Sequence, residues 1–242
     1  MPDTAPLYEG KAKIIYPTDN PHILRSHFKD DATAFNAQKK GQIVGKGAIN
    51  CAISAHLFRL LESQGIATHF IDQPSSNEMT VKSVSIIPLE VVVRNIAAGS
   101  LCQQTSLALG TALKFPLVDF YYKNDSLGDP FLSEARILLL ELATLAQIEE
   151  LRALALKINE ILTTFFQDCG ITLVDFKLEF GLDQSRQILL ADEISPDTCR
   201  LWDQSATDPN DRVLDKDRFR RDLGNVEQAY AKVMERVLSH SV

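Results

Sequence analysis

The sequence predicts a mixed fold of β-strands and α-helices, arranged as two lobes around a cleft. Strand-like alternation in residues 7–16 indicates a small N-terminal sheet. Apolar residues recur with a helical period in residues 46–64 and 144–170, which predicts two long helices. Residues 171–180 alternate and a turn follows, which predicts a β-hairpin over residues 171–200 within a larger C-terminal part.

The composition argues against several classes of protein. The chain has 242 residues, a formal net charge of −7 and a pI near 5.3, which disfavours a non-specific nucleic-acid binder or a basic membrane-surface protein. Its four cysteines are scattered and form no CxxC motif, so we expect no disulfide framework and a reducing, cytoplasmic location. No signal peptide is visible, and no apolar run reaches the roughly 18 residues that a membrane span needs.

Several further elements follow from the same patterns. Strands are predicted at three segments that precede the second long helix: 66–72, 79–85 and 89–95, with Pro88 as a break before the last. Residues 110–132 are rich in turn formers and are predicted to be a connecting segment, as is the loop at 30–41. Thr144 and Gln147 predict a capping box, and a last helix is predicted at 216–238.

The predicted hairpin has one charged face and one apolar face. The period of two places charged residues on one face, namely Asp175, Lys177 and Glu179. It places apolar residues on the other face, namely Val174, Phe176, Leu178 and Phe180. A turn at 181–186 leads to a second strand at 188–194, which carries Asp192. We therefore expect Glu179 and Asp192 to lie roughly opposite each other.

Two opposed carboxylates destabilise a sheet unless a cation lies between them. A hard divalent ion such as Mg²⁺ is the usual cation at such a place. The pattern therefore indicates a metal site on Glu179 and Asp192, with Lys177 beside it. A solvated polar face of an ordinary hairpin is the alternative, because half-exposed strands with charged outer faces are common.

The N-terminal strand carries Lys11 and Lys13 on one face, directly after Gly10. A glycine lets the backbone approach phosphates closely, and a lysine supplies a mobile cation. The segment therefore predicts contacts to phosphates. Solvated charge on a surface hairpin is the alternative.

Arg94 ends the apolar strand at 89–95. A guanidinium beside a buried strand needs an anionic partner, which is either Glu90 or a ligand. The small residues at 97–100 would let a ligand approach the backbone, and Ser100 can donate a hydrogen bond.

Together these features predict a nucleotide cleft in which phosphoryl transfer works by positioning and charge neutralisation. Mg²⁺ on the paired carboxylates would bridge phosphate oxygens, and Lys11 or Lys13 would hold the phosphates. Three remaining cations would hold a second anionic substrate, namely Arg94, Lys177 and Arg200.

Five motifs resemble those of the SAICAR synthetase (phosphoribosylaminoimidazole-succinocarboxamide synthase) family, in order along nearly the whole chain. They are Tyr8–Lys13, Leu89–Asn95 with Ala98–Ser100, Lys123–Asp125, Leu173–Gly181, and Asp192–Asp197 with Arg200–Asp203. The resemblance implies an α+β, two-lobed fold related to ATP-grasp and protein-kinase-like folds, with antiparallel sheets flanked by helices and a central ATP cleft. Residues 1–87 would form the nucleotide-covering lobe, and residues 88–242 the lobe with the metal and substrate sites.

The resemblance also implies an activity. Enzymes of this family join L-aspartate to the carboxylate of carboxyaminoimidazole ribonucleotide (CAIR) in de novo purine biosynthesis. They consume ATP with Mg²⁺, pass through an acyl phosphate, and release SAICAR, ADP and phosphate. The implied partners are these small molecules, with no nucleic acid and no membrane, and a homodimer is expected by resemblance alone.

Site residues carry over motif by motif. The implied ATP contacts are Lys11, Lys13, Lys82, Val84, Ile86 and Lys123, with the residues from 82 to 86 beside the adenine. The implied CAIR contacts are Arg94, Ser100 and Arg200, with Asp175 and Lys177 as catalytic residues facing that substrate. The implied Mg²⁺ ligands are Glu179 and Asp192, and Thr33 and Asn36 are expected near the aspartate substrate.

The chain departs from the family pattern at two places. Gln103 and Gln104 stand where basic residues are frequent, and Cys199 stands where a small hydroxyl or glycine is frequent. We expect Cys199 to be a passive small residue, because the chemistry needs no nucleophilic thiol. Two other functions remain open at this point: a kinase-like small-molecule phosphotransferase and a non-catalytic nucleotide-binding module.

Overall fold

The computed structural model describes residues 5–34 and 38–240, so Asn36 lies outside the described residues. The strands are β1 (Tyr8–Glu9), β2 (Lys13–Pro17), β3 (Ile23–Phe28), β4 (Asp31–Ala34), β5 (Lys39–Gln42), β6 (Phe70–Ser75), β7 (Glu78–Lys82), β8 (Ser85–Ile96), β9 (Ala112–Tyr122), β10 (Phe131–Leu132), β11 (Ile171–Leu182), β12 (Ile188–Ala191) and β13 (Cys199–Asp203). The helices are α1 (Lys46–Ser63), α2 (Ser100–Gln104), α3 (Glu134–Leu139), α4 (Leu145–Asp168), α5 (Asp217–Arg220) and α6 (Val226–Leu238).

The N-terminal sheet is antiparallel and five-stranded, in the order β1-β2-β3-β7-β6. Helix α1 packs against β3, β6 and β7, and α6 packs against α1. The apolar stripe of α1, which includes Ile53, Leu57 and Leu61, is buried. Burial of this stripe against the sheet stabilises the helix more than its intrinsic propensity does. The prediction of this helix from its period is confirmed.

The second sheet has its longest strands at the centre, in the order β10-β9-β8-β11-β12, and β13 pairs with another part of β11. Helix α4 packs across β11, β8 and β9. It begins at the capping box that the sequence predicts between Thr144 and Gln147. Gly170 follows it with a φ of 68°, a conformation that glycine adopts without steric cost. The predicted class, antiparallel sheets flanked by helices, is confirmed.

The two larger sheets share one hydrophobic core and are joined by the backbone of residues 67–69. Thr68 forms a parallel bridge with Leu190 of β12. The His69 N–H donates to the Leu190 carbonyl at 2.9 Å, and the His69 carbonyl accepts from the Lys82 N–H at 2.6 Å. This joint holds the end of β7 beside the end of β12. Among the described residues no helix is long and apolar enough to cross a bilayer.

The prediction of a connecting segment at 110–132 is wrong. Most of it forms β9, which pairs with β8 from Leu89↔Tyr122 to Ile96↔Ala112. The turn formers do not prevent the strand, because Pro116 lies where the register shifts and no regular ladder bond is required of it. Pro88 likewise does not interrupt the strand as the sequence predicts, since β8 begins at Ser85 and continues through Pro88. The lobe boundary at residue 87 therefore lies inside a strand and stays a prediction.

The predicted last helix is interrupted. Residues 221–225 separate α5 from α6, and Asp222, Gly224 and Asn225 have positive φ values of 54°, 71° and 50°. The Arg218 guanidinium holds this break, because it donates to the Gly224 carbonyl at 2.7 Å and to the Val213 carbonyl at 2.9 Å. The predicted loop at 30–41 also contains structure, since β4 and β5 pair within it.

Candidate active site

A cleft of about 830 Å³ is lined by residues of both larger sheets. The residues for which the sequence predicts catalytic, ATP, CAIR or metal contacts all line it: Lys11, Lys13, Lys82, Val84, Ile86, Arg94, Ser100, Lys123, Asp175, Lys177, Glu179, Asp192 and Arg200. Thr33 lines it as well. Residues from distant parts of the chain therefore face one space.

Strand β11 forms the floor of this cleft. Its pairing with β8 sets Asp175 opposite Arg94, Lys177 opposite Val92, and Glu179 opposite Glu90. Asp175 and Glu179 are only 4% and 3% exposed, so the alternative of a solvated charged face is wrong. Burying carboxylates at this level requires ionic or hydrogen-bonding partners, and the cleft supplies both.

The apolar face of β11 is not continuous. Phe176, Leu178 and Phe180 belong to the main core, whereas Val174 packs with a separate cluster that includes Trp202. The cause is a register shift between Leu173 and Asp175 in the pairing with β13, which moves the alternation by one residue. The prediction that Val174 shares a face with the other three is wrong.

Glu179 and Asp192 are offset by one residue from direct opposition. Glu179 pairs with Ala191, the last residue of β12, and Asp192 follows with a left-handed φ of 61°. The predicted second strand thus ends earlier than residue 194. Both carboxylates contact the Lys177 ammonium, at 2.5 Å from Glu179 and 2.9 Å from Asp192. The cation between them in this structure is therefore Lys177 itself.

Neighbouring charges keep both Lys177 and Asp192 ionised. Burial alone would lower the pKa of Lys177, but the charges of Asp192, Glu179 and Glu90 outweigh it and raise the pKa well above 10.5. Burial alone would raise the pKa of Asp192, but Lys13 and Lys177 outweigh it and hold that pKa well below 3.8. Both groups are charged throughout the neutral range.

Lys13 contacts Asp192 and lies 3.3 Å from Glu193. Its pKa is raised to about 12, because these carboxylates outweigh the effect of burial. Lys11 lies between β1 and β2, so the prediction of one continuous strand that carries both lysines is wrong. Its ammonium contacts the exposed Asp125 at 2.6 Å. The two lysines therefore line one cleft from different local structures.

The remaining predicted nucleotide residues surround the same end of the cleft. Lys123 contacts Glu179 at 2.8 Å. The Lys82 ammonium donates to the Thr68 carbonyl at 3.0 Å. Val84 packs so closely on Gly181 that a Cβ at residue 181 would lie 2.5 Å from its methyl carbon. Glycine at 181 of β11 thus permits this contact with the connection between β7 and β8.

Arg94 is buried at 4% exposure and is bonded on all sides. It donates to Asp119 and Asp175 at 3.0 Å each, to the Ser100 hydroxyl at 3.0 Å and to the Tyr121 hydroxyl at 2.9 Å. The alternative of a pair with Glu90 is therefore wrong. Arg200 reaches Asp175 at 2.8 Å from the other side, so Asp175 holds both guanidiniums at this end of the cleft.

A family model described as SAICAR synthetase matches residues 6–237. This chain belongs to the SAICAR synthetase family.

Its relatives agree in sequence and in structure. The phosphoribosylaminoimidazole-succinocarboxamide synthase of Cyanothece sp. is 72% identical over 233 residues, covering 96% of each chain. That of Thermosynechococcus vestitus is 62% identical over 242 residues, covering both chains fully. The crystal structure of the Ehrlichia chaffeensis synthase has a TM-score of 0.93 at 48% identity, covering 98% of this chain and 100% of that one. A SAICAR synthetase in complex with ADP has a TM-score of 0.92 at 47% identity, covering 97% and 98%.

Carboxylate oxygens are the ligands that Mg²⁺ prefers, and Mg²⁺ commonly takes one or two of them while water and substrate phosphates complete its shell. Glu179 and Asp192 supply such a pair beside the cleft, and in this structure they hold ammonium groups. Among residues 5–34 and 38–240 no three His, Cys, Asp or Glu side chains gather into an all-protein metal site. The donor set fits a metal bound together with a nucleotide.

Several residues in or beside the cleft have no role assigned from the sequence. Glu193 contacts Lys13, Glu90 faces Lys177, and Asp217 contacts Arg200 at 2.8 Å. Asp197 is buried against Lys46 at 2.8 Å. The signal for the last pair was a lysine at the start of the apolar stripe of α1, where a charge needs a buried partner.

All four cysteines are free thiols. Cys199 lines the cleft and is 4% exposed. Burial raises the pKa of its thiol above the ordinary value of 9.0. It is therefore a neutral thiol near pH 7, which agrees with the expectation of a passive residue.

Proposed function

We propose that this chain catalyses the ATP-dependent ligation of L-aspartate to the carboxylate of CAIR, giving SAICAR, ADP and phosphate in de novo purine biosynthesis. Membership of the SAICAR synthetase family supports the reaction. The observation that carries it is that one cleft gathers the predicted nucleotide lysines, the paired carboxylates and the two arginines. The relative crystallised with ADP supports the use of ATP.

The reaction needs activation, because a carboxylate is a poor acceptor for an amine. The CAIR carboxylate oxygen attacks the γ-phosphorus of ATP, so an O–P bond forms to CAIR and the bond to ADP breaks. The aspartate amine then attacks the acyl carbon of this acyl phosphate. A C–N bond forms, phosphate leaves with its oxygen, and the nitrogen loses a proton.

The nucleotide lies at the end of the cleft bordered by Lys82, Val84 and Ile86, which face the adenine. Lys11, Lys13 and Lys123 contact its phosphates as flexible cations. Glu179 and Asp192 would hold Mg²⁺, which when bound neutralises charge on the phosphates. Lys177 neutralises the charge that develops on the transferred group, and the neighbouring carboxylates keep its ammonium protonated for that role.

CAIR lies at the other end of the cleft. Arg94, Ser100 and Arg200 contact its phosphate and ribose, and Asp175 faces the same substrate. The ion pairs of Asp175 with both arginines support this assignment, because they hold the guanidiniums in fixed orientations before the substrate arrives. The catalytic role of Asp175 is thus orientation close to the reacting substrate.

Three broader features belong to the same proposal. We propose a cytoplasmic enzyme, and the free cysteines support a reducing compartment. The net charge of −7 supports small-molecule partners over nucleic acid or anionic membranes. A homodimer is proposed by family resemblance.

The test is ADP release from ATP and Mg²⁺ with CAIR present, measured with and without L-aspartate. We expect ADP and SAICAR in equal amounts, and only when both CAIR and aspartate are supplied. Equal ADP release without aspartate would instead indicate a small-molecule phosphotransferase. ADP binding without any turnover would indicate a non-catalytic nucleotide-binding module.

A further inference from the structure

We propose that Asp217 is a positioning residue of this enzyme: it holds the Arg200 guanidinium in the orientation that binds the phosphate of the ribonucleotide substrate. The proposal rests on the proposed function, because that function puts the CAIR phosphate on Arg200. Asp217 belongs to none of the five motifs that carry the resemblance, and it enters through geometry alone. It lies at the start of α5, far along the chain from the β11 floor.

The Asp217 carboxylate is shared by two guanidiniums. One oxygen accepts from Arg200 Nε at 2.8 Å, and the other accepts from Arg220 Nη1 at 2.5 Å. Asp175 accepts from Arg200 Nη1 at 2.8 and 3.0 Å. Two of the three Arg200 nitrogens are therefore bound by carboxylates on either side. Among the described residues Nη2 has no protein acceptor, so it is the nitrogen left to bind a ligand.

Gly99 fixes the third side of the guanidinium. A Cβ at residue 99 would lie 2.6 Å from Arg200 Nη2 and 2.8 Å from Arg200 Cζ, which is closer than real contacts allow. Gly99 also has a φ of 54°, a backbone conformation that favours glycine. The Arg200 guanidinium thus packs directly against the backbone of the Gly99–Ser100 step. Arg94, which donates to the Ser100 hydroxyl, lies beside the same step.

Asp215 fixes Asp217 in turn. Its side-chain oxygens accept from the Asp217 N–H at 2.8 Å and from the Leu201 N–H at 2.8 Å. Leu201 follows Arg200 directly in β13. The two acidic residues therefore close a ring that runs from the Arg200 backbone through Asp215 and Asp217 to the Arg200 side chain. Asp215 is fully buried, so this ring has little freedom to move.

The carboxyl groups of Asp215 and Asp217 have opposite pKa shifts and therefore different roles. Burial raises the pKa of Asp215 to about 7, and the charge of Asp217 adds to this. Burial alone would raise the pKa of Asp217, but the charges of Arg200 and Arg220 outweigh it and lower the pKa below 3.8. Asp217 is therefore the residue that carries the negative charge facing the arginines. Asp215 acts as the acceptor that shapes the turn.

Asp175 and Asp217 together clamp the Arg200 guanidinium. This clamp matters because a free arginine side chain has many rotamers. A guanidinium that binds a phosphate from several conformations loses side-chain entropy on binding, and a guanidinium already held in one conformation does not. The clamp should therefore increase affinity for the substrate phosphate and leave the nucleotide end of the cleft unaffected. This difference separates positioning from a general structural role.

The test compares Asp217→Asn and Asp217→Ala with the wild-type protein in steady-state kinetics. Losing a charge-assisted hydrogen bond should raise KM for CAIR about tenfold in Asp217→Asn and further in Asp217→Ala. The KM for ATP should stay within about twofold, because the lysine contacts are untouched. Asp222→Asn is the matched control: its carboxylate is 85% exposed and pairs with Lys39, so its kinetics should equal those of the wild type. Thermal melting checks that each variant is folded.

A double-mutant cycle with Arg200→Ala supplies the deciding readout. If Asp217 acts through Arg200, Asp217→Asn should lower kcat/KM for CAIR about tenfold in the wild-type background and less than about twofold in the Arg200→Ala background. Equal losses in both backgrounds, or equal increases in KM for CAIR and ATP, would overturn the proposal and leave the function intact. A wild-type protein with no CAIR-dependent and aspartate-dependent turnover would overturn the proposed function first, and this proposal with it.

Discussion

Lys177 contacts two carboxylates at the centre of the cleft, Glu179 and Asp192, and lies between the two ends that we assign to ATP and CAIR. We expect Lys177→Ala to lower kcat by about 10²-fold or more, because the charge on the transferred group loses its nearest protein cation. Steady-state assays of ADP release measure this. Lys157→Ala, at an exposed position on α4, is the control and should keep wild-type kcat. Near-normal turnover by Lys177→Ala would remove it from the chemistry.

The proposed metal ligands, Glu179 and Asp192, can be tested separately through the Mg²⁺ requirement. Glu179→Gln and Asp192→Asn should each raise the Mg²⁺ concentration required for half-maximal activity about tenfold or more, because a neutral amide is a weaker ligand for a hard cation. Titration of activity with Mg²⁺ at saturating ATP measures the effect. Glu149→Gln, at an exposed position on α4, should leave the requirement unchanged. An unchanged requirement in both carboxylate variants would show that they do not hold the metal.

Short motifs predicted many of the residues that line the cleft, and the limits of such motifs are physical. Lys177 and Glu179 could be placed together because alternation within one strand puts them on one face. Asp217 could not, because its contact with Arg200 depends on a turn that Asp215 holds across the space between β13 and α5. The sequence left open whether Arg94 pairs with a carboxylate of the protein or with a ligand. In the structure its guanidinium contacts the carboxylates of Asp119 and Asp175.

At the scale of elements, local patterns were sufficient where one face of the element is buried along its whole length. Helices α1 and α4 satisfy this condition, and both were predicted from their period. Strand β9 was missed because glycine and proline near its start indicate turns, whereas pairing with β8 stabilises the strand. The break between α5 and α6 was missed because it depends on hydrogen bonds from Arg218, which no periodicity reports.

Helix α4 offers a test of stability that is independent of activity. We expect Thr144→Ala to lower the free energy of unfolding by about 1 kcal/mol, because it removes the side-chain acceptor of the capping box. Urea unfolding measures this, and KM for each substrate should not change. Thr164→Ala on the same helix is the control: it should be neutral or slightly stabilising, since alanine is the better helix former at an exposed position. Equal losses in both variants would argue against the cap.

At the scale of the whole molecule, Asp197 connects elements from both ends of the chain. It accepts from Lys46 of α1 at 2.8 Å and from the Tyr230 hydroxyl of α6 at 2.8 Å. Burial alone would raise the pKa of Asp197, but the charges of Lys216 and Lys46 outweigh it and lower the pKa below the ordinary value of 3.8. The ionised Asp197 carboxylate therefore stabilises the fold fully when the pH is above its ordinary pKa of 3.8, and this stabilisation is lost as the pH falls further below that pKa.

The resulting prediction concerns acid unfolding. As the pH falls from about 5 to about 2, the free energy of unfolding should decrease more steeply in the wild-type protein than in Asp197→Asn. The reason is that the variant has no carboxylate to protonate at this position. At neutral pH that variant should be less stable by about 3–5 kcal/mol, since it leaves Lys46 buried without its partner. Urea midpoints at several pH values measure both effects. Asp211→Asn, at an exposed position, should keep the wild-type slope.

The proposed reaction takes place in one cleft, which activates the CAIR carboxylate by phosphorylation and then transfers the acyl group to the aspartate amine. The most direct test uses CAIR labelled with ¹⁸O in both carboxylate oxygens, with unlabelled ATP and L-aspartate. We expect one ¹⁸O atom in the released phosphate and one retained in the amide carbonyl of SAICAR. Phosphate free of ¹⁸O, released with the same stoichiometry, would contradict it.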